Sequence, residues 1–311
     1  MTEAFSAFGL SLQGEFALPS RLPPCEPRLP RLLLELASAE DLERGWSGPA
    51  TPGCWRGRLG DGEELTVTRG RDGDFLIGYG DLARFHLDVE GGRIACAPGG
   101  AASLAWRRVL LSRVLPNAAI ASGYEALHAA AVVGDRGLVA LAANSGSGKS
   151  TLACELVRRG CSLFADDTVV LGRGEDGVVA HPGTPFLNLP LGGPTVAGAE
   201  LGRLDGERWW AVDDHATEVA PVATVVLYER APGLSLAVEE LPATPLALAP
   251  FMLGLPDDED RDAARFGLYA DLVEATSLLR LTAEPERAPA EIAAALEEAL
   301  EMAPAGVGAG R

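Results

Sequence analysis

The sequence predicts an α/β protein whose core is a phosphate-binding loop set between a strand and a helix, preceded by a smaller α+β unit. Three observations predict it. The run Gly137-Leu138-Val139-Ala140-Leu141-Ala142 suits a buried strand, Ala143 to Thr151 reads as a glycine loop entering a helix, and Leu152 to Val157 continues as an amphipathic helix. After Arg158-Arg159-Gly160 a second strand, 161–165, ends in Asp166 and Asp167, so strand, loop, helix and strand make one parallel crossover unit. Residues before about 120 instead show short alternating runs separated by turn residues, the pattern of a small antiparallel sheet.

With 311 residues and 47% hydrophobic content, the chain has room for one large domain or two smaller ones. The expected division is an N-terminal α+β domain at 1–120, a candidate for substrate recognition, a core domain at 121–302 and a loose tail at 303–311. A formal net charge of −18 disfavours nucleic acid or an anionic membrane as partner, since binding them needs basic patches, and favours a basic or neutral one. The five cysteines, Cys25, Cys54, Cys96, Cys154 and Cys161, form no C-x-x-C pair and read as small apolar residues in a reducing compartment. No basic region precedes an apolar stretch at the N-terminus, and no apolar run approaches the ~18 residues a membrane span needs. A cytoplasmic protein is expected.

Prolines 19, 23, 24, 27 and 30 break up the opening, and 31–40 suits either a short helix or a strand. Strands are expected at 64–68, 75–78, 84–89 and 93–97. Phe85, Leu87 and Val89 share one face of the third and His86 and Asp88 the other, which makes His86 a solvated residue. Ser103 reads as the N-cap of a helix carrying Trp106, Val109, Leu110 and Val114 on one side and stopped by Pro116.

In the core, 127–133 reads as one strand and 134–137 as a hairpin turn before the loop strand. The helix after the loop ends at Arg158-Arg159-Gly160, with basic residues at its negative end and glycine beyond. A strand at 168–171, a proline-rich turn at 181–185 and a small-residue loop at 190–199 that could cover a site come next. Strands at 222–229 and 234–241, an acidic helix start at 257–262, a helix at 263–275, a strand at 278–281 and a helix at 290–302 complete the chain.

The chemistry concentrates in Asn144, Ser145, Gly146, Ser147, Gly148, Lys149, Ser150 and Thr151. Gly146 and Gly148 let successive N–H groups face a phosphate while the helix starting near Lys149 adds its positive end. Lys149 would reach the β- and γ-phosphates of a nucleoside triphosphate, and the Ser150 hydroxyl would bind Mg²⁺. The usual pattern opens with Gly where this chain has Ala143, a change that costs little at negative φ. Lys149 is also the only lysine in the chain; every other permanently cationic side chain is arginine. Asp166 and Asp167, at a strand end near that loop, suit a metal-side carboxylate and an acceptor of a hydroxyl proton, in either order. His128, on an apolar strand, reads on its own as a core histidine bonded to the backbone.

Leu127-His128-Ala129-Ala130, the Ser145 to Ser150 loop and the segment from Arg159-Gly160 to Asp166-Asp167 together resemble the catalytic domain of HPr kinase/phosphorylase, in order and spacing, across residues 124–172. With the N-terminal phrase Phe8-Gly9-Leu10-Ser11-Leu12, the chain more narrowly resembles HPr-kinase-like proteins encoded with peptide-modifying enzymes, including lasso-peptide tailoring kinases. The resemblance implies a P-loop kinase core of the HPr kinase/PEP-carboxykinase type that uses ATP and Mg²⁺ to phosphorylate serine on a precursor peptide or small protein. It implies that Lys149 binds phosphates, Ser150 the metal, Asp167 acts as general base, Asp166 supports metal or water, and His128 lies beside them. Related enzymes assemble into rings, which leaves a homo-oligomer open.

The chain departs from the family's bifunctional members at 180–185, where Ala180-His181-Pro182-Gly183-Thr184-Pro185 lacks their metal-binding glutamate, which argues against phosphorylase activity. An ABC-type ATPase would need an L-S-G-G-Q string, and a carboxykinase further lysine chemistry; neither is present. The alternatives to a serine kinase are a nucleotide-binding regulatory scaffold without phosphotransfer and a kinase of small-molecule hydroxyls.

Overall fold

The structure is a computed structural model, and it describes residues 4–19, 22–24, 28–51, 55–58, 64–99, 105–204, 206–256 and 259–302. Cys25, Cys54, Ser103, the acidic pair 257–258 and the tail 303–311 lie outside the described residues. The chain is mixed α/β and divides into two compact units. One comprises Met1–Tyr124 with the short segments Gly202–Asp205 and Gly254–Glu259, and the other Glu125–Leu201, Gly206–Leu253 and Asp260–Arg311.

In the first unit the strands are β1 (Ala4–Ala7), β2 (Leu10–Gly14), β3 (Arg31–Leu36), β4 (Trp55–Arg58), β5 (Glu64–Arg69), β6 (Phe75–Tyr79), β7 (Ala83–Asp88) and β8 (Arg93–Pro98). They form one sheet in the order β1-β2-β3-β8-β7-β6-β5-β4. The expected antiparallel meander is its β5 to β8 portion; β3 joins it through parallel pairings with β2 and β8. The open choice at 31–40 resolves into strand β3 followed by helix α1 (Ala39–Gly45), whose N-cap Ser38 accepts from the Asp41 N–H.

His86 is not solvated, contrary to the alternation of its strand: it is only 3% exposed. Helix α1 supplies the reason, because Leu42 packs on Ala95 and Ala97, and Ala95 stands opposite His86 across β7 and β8. Both faces of β7 are therefore covered. The imidazole finds a buried partner, with Nε2 2.7 Å from Asp74 Oδ2, while Ser47 donates its hydroxyl to Asp74 Oδ1 at 2.6 Å and its N–H to Oδ2 at 3.2 Å. A Cβ at Gly70 would overlap Asp74 Oδ1 and Ser47 Oγ, so glycine there keeps room for the cluster.

Helices α2 (Ala105–Val109) and α3 (Leu115–Ala121) run on through a π-helical turn at Leu110–Val114. Trp106, Val109, Leu110 and Val114 are all buried, as their spacing requires. Pro116 does not stop the helix: it follows directly on the π-helical turn at Leu110–Val114, where the hydrogen-bond pattern shifts between π and α and the run continues past a residue that lacks an N–H.

The second unit contains β9 (Glu125–Leu127), β10 (Ala129–Gly134), β11 (Gly137–Ala142), α4 (Lys149–Arg158), β12 (Ser162–Ala165), β13 (Val169–Gly174), β14 (Gly177–His181), β15 (Phe186–Pro190), the larger part of β16 (Gly198–Leu204), β17 (Glu207–Val212), β18 (Ala220–Arg230), β19 (Ala237–Glu240), β20 (Met252–Leu253), α5 (Asp262–Ala275), β21 (Ser277–Ala283) and α6 (Pro289–Met302). Most of its strands form one sheet in the order β12-β10-β11-β18-β14-β13-β9-β20. The long strand β18 also pairs in parallel with β21, so β11, β18 and β21 run side by side in one direction and end at Ala142, Arg230 and Ala283.

Two corrections concern topology. The expected strand at 127–133 is two strands broken at His128, whose N–H donates to the Phe251 carbonyl at 2.7 Å; β9 pairs with β13 and β20, and β10 with β11 and β12. The crossover from β11 through α4 does reach a strand of the same direction, but β10 lies between β11 and β12 and is antiparallel to both. Alternate residues of β11 enter two cores. Val139 and Leu141 pack with Leu152 and Leu156 of α4 and Leu296 of α6, and Leu138 and Ala140 with Leu268 and Leu272 of α5. A strand covered on both faces carries the continuous apolar run seen in the sequence. No helix among the described residues is long and apolar enough to cross a membrane.

Burial pushes the Asp74 carboxyl upward, but the bonds from Ser47 and His86 outweigh it and hold it below its ordinary value. A depressed carboxylate stabilises above its unfolded value, and the contribution is lost as pH falls through the folded one. Gly70→Ala and Asp74→Asn should each cost about 1–3 kcal/mol at pH 7 and lower the melting midpoint by several degrees. As pH falls below about 4, the wild type should converge on Asp74→Asn. Thermal melts across pH check this; an Asp74→Asn variant as stable as wild type at pH 7 contradicts it.

Candidate active site

The glycines of the loop before α4 take left-handed backbone, with φ of 79° at Gly146 and 90° at Gly148, the N-cap of α4. Left-handed φ strains residues bearing a Cβ, so glycine is needed at both. Helix α4 then begins at Lys149 and ends at Arg158, with Arg159 as C-cap and Gly160 beyond it at φ 109°.

Lys149 is 6% exposed, and its ammonium turns toward the break between β9 and β10. Its Nζ donates to His128 Nε2 at 2.8 Å and lies 4.0 Å from Asp167 Oδ1. With Nε2 accepting, the imidazole carries its proton on Nδ1, which donates to the Asp167 carbonyl at 3.0 Å and lies 3.5 Å from Asp167 Oδ1. The strand break is what frees His128 to point here. Three residues earlier on β9, the buried carboxylate of Glu125 accepts from Arg261 at 2.6 Å and from Arg265 of α5 at 2.9 Å.

The two acids diverge because Asp167 takes a left-handed backbone, φ 69°, which short polar side chains tolerate better than most. Asp166 points instead to the loop: Ser150 donates its hydroxyl to Oδ1 at 2.7 Å, and the Asn188 N–H donates to Oδ2 at 2.9 Å. Burial pushes the Asp166 carboxyl up to about 6, with Asp167 adding to the rise, while the Asn188 and Ser150 bonds and Lys149 oppose it. Since the Ser150 proton is committed to Asp166, the lone pairs of Ser150 Oγ face away from the carboxylate and suit a hard cation.

Among the described residues no group of three or more His, Cys, Asp or Glu side chains is placed to hold a metal ion. The donor set at Ser150 and Asp166 fits Mg²⁺, which takes one or two protein oxygens and completes its shell with phosphate and water. The Ser147 hydroxyl, buried in the loop with no hydrogen-bond partner, fits an incoming phosphate. Cys96 and Cys154 are buried free thiols, pushed up by burial, Cys154 to about 11, as befits inert cysteines.

Lys149, His128 and Asp167 thus form one contact group, and Ser150 and Asp166 another beside it. Two further residues carry little sequence signal. Asn188 is part of an ordinary strand pattern, and its relation to Asp166 is made by its main chain. Arg230, at the carboxyl end of β18, lies so close to the loop that a Cβ at Gly148 would sit 3.3 Å from its Nη1; Arg230 is fixed by the carbonyls of Glu284, Pro285 and Arg287. A cation ending a strand parallel to the loop strand was its only signal.

No protein-family model matches the chain, and no curated protein matches it. Among solved structures it is similar to the HPr(Ser) kinase/phosphatase from Coxiella burnetii, with 14% identity over 57% of this chain and 97% of that chain and a TM-score of 0.33. The likeness is distant.

A carboxyl raised by burial binds its proton more tightly folded than unfolded, so ionising it penalises folding above the unfolded value, in full above about 6. Without metal, Asp166→Asn should therefore raise stability by roughly 3 kcal/mol at pH 8, a gain that shrinks as pH falls through 6. Melting curves of both proteins across that range check it; a variant less stable than wild type at pH 8 contradicts it.

Proposed function

We propose that the chain is an ATP-dependent kinase that transfers the γ-phosphoryl group to a serine hydroxyl on a peptide or small protein. The observation that carries this reading is the divergence of the adjacent acids, Asp166 onto the loop serine and Asp167 beside His128 and Lys149. A nucleotide sensor needs the first carboxylate; the second has a use when a hydroxyl must lose a proton.

In this reading the loop N–H groups from Asn144 to Thr151 and the start of α4 cradle the triphosphate. The Lys149 ammonium leaves His128 for the β- and γ-phosphates, and Arg230 adds positive charge at the same end of the sheet. Ser150 would hold Mg²⁺, with Asp166 orienting the serine hydroxyl and adding negative charge beside it; the cation would supply charge neutralisation at the phosphates. The serine oxygen attacks the γ-phosphorus, the bond to the β,γ-bridging oxygen breaks, and the hydroxyl proton passes to Asp167. His128, bonded to the Asp167 carbonyl, holds that turn in place and takes up the contact that Lys149 relinquishes. ATP, Mg²⁺ and a serine-bearing acceptor are the partners this chemistry requires.

Incubation with labelled ATP, Mg²⁺ and serine peptides tests the reading. Asp167→Asn should lower transfer about 10²–10⁴-fold, the usual contribution of a general base, while ATP binding persists. Transfer at the wild-type rate in that variant, or ATP binding by the wild type without transfer to any hydroxyl, overturns it; the second outcome favours a regulatory scaffold.

A further inference from the structure

We propose that Arg230 is a nucleotide-binding residue whose Nη1 reaches the α-phosphate, so that it serves ATP and ADP alike. The inference rests on the kinase reading and deepens it by assigning the side of the loop on which the nucleoside lies. Three observations converge. The guanidinium is fixed: Nε donates to the Glu284 carbonyl at 3.4 Å, and Nη2 donates to the carbonyls of Pro285 and, at 2.9 Å, Arg287. Nη1 makes none of these bonds and lies 3.3 Å from the position of a Cβ on Gly148, the N-cap of α4. The groups that hold Arg230 are neutral carbonyls, so its charge stands beside the positive end of a helix whose first turn carries no acidic residue.

A cation at that end of a helix is unfavourable unless an anion lies with it. The two carboxylates nearest the loop are engaged elsewhere, Asp166 with Ser150 and the Asn188 N–H, and Asp167 beside His128 and Lys149. A bound phosphate supplies the anion, and a glycine loop entering a helix is built to receive one. The sheet decides which phosphate. Strand β11 feeds the loop and has β10 on one side and β18 on the other. His128 immediately precedes β10, whose Ala129 pairs with Ala142 at the end of β11, and it holds the Lys149 ammonium on that side. Arg230 ends β18 on the opposite side, next to the turn that follows β21. A triphosphate with its γ-phosphorus toward Asp167 therefore crosses the loop from β10 toward β18 and brings its α-phosphate to Arg230, at the carboxyl ends of the parallel strands.

The test is binding of ATP and of ADP, each with Mg²⁺, to the full chain by titration calorimetry. Arg230→Gln should weaken both by the same factor, about 10-fold, the size of one hydrogen bond from a charged donor. In ³¹P spectra of bound ADP, the α resonance should move further between wild type and this variant than the β resonance. Arg230→Lys keeps the charge but cannot hold three carbonyls, and it should bind both nucleotides more tightly than Arg230→Gln. Equal weakening in the two variants overturns the proposal, because Arg230 would then only anchor the turn after β21. So does wild-type affinity in Arg230→Gln, and so does a loss confined to ATP, which would put the contact on the γ-phosphate. If wild type binds neither nucleotide, the kinase reading fails and the inference with it. If it binds both without transferring phosphate, the kinase reading alone fails, and the same affinities still decide the role of Arg230.

Discussion

A single buried ammonium organises the second unit. Lys149 is almost wholly enclosed, and an enclosed charge is tolerated only when it is paired and hydrogen-bonded. His128 and Asp167 meet that requirement, and meeting it dictates local backbone: the sheet must break at His128, and Asp167 must adopt a left-handed turn. Arginine could not replace this lysine easily, because its planar fork would need space and acceptors for five N–H groups where one imidazole nitrogen and a carboxylate stand. In a chain that otherwise uses arginine throughout, the retained lysine is explained by this geometry.

Much of the second unit was legible in the sequence because its signals are local. The loop glycines, the helix stop at Arg159-Gly160, the strand ending in two acids and the final helix all depend on neighbours a few residues away. Long-range pairing was not legible. Nothing local says that 127–133 splits between two pairing partners, or that β10 inserts between β11 and β12. His86 fails for the same reason: alternation along β7 describes one strand, whereas burial of both faces depends on α1, some forty residues upstream. Pro116 misled because the helix runs through it directly after a π-helical turn, a change of hydrogen-bond pattern that no local signal announces.

In the candidate site, the side chains that the motifs single out do converge, while the groups around them carry no motif. Glu125 pairs with two arginines that lie some 140 positions later, Asn188 acts through its main chain, and Arg230 through its place at a strand end. Each is fixed by tertiary contact. The two acids also illustrate why adjacency in sequence says little about role. One sits in a site dry enough to lift its carboxyl to about 6 and bonds to the loop serine, and the other faces a cation and an imidazole. A single left-handed residue separates those environments.

The solitary lysine also makes the central claim directly measurable. Selective ¹⁵N-lysine labelling gives one side-chain ammonium resonance, that of Lys149. Titration with ATP and Mg²⁺ should shift it saturably as the ammonium exchanges the His128 nitrogen for phosphate oxygens, and ADP with Mg²⁺ should shift it too. A resonance that stays where it is at saturating ATP contradicts the account, because the ammonium would then be a structural charge buried on His128 and Asp167 with no phosphate to serve.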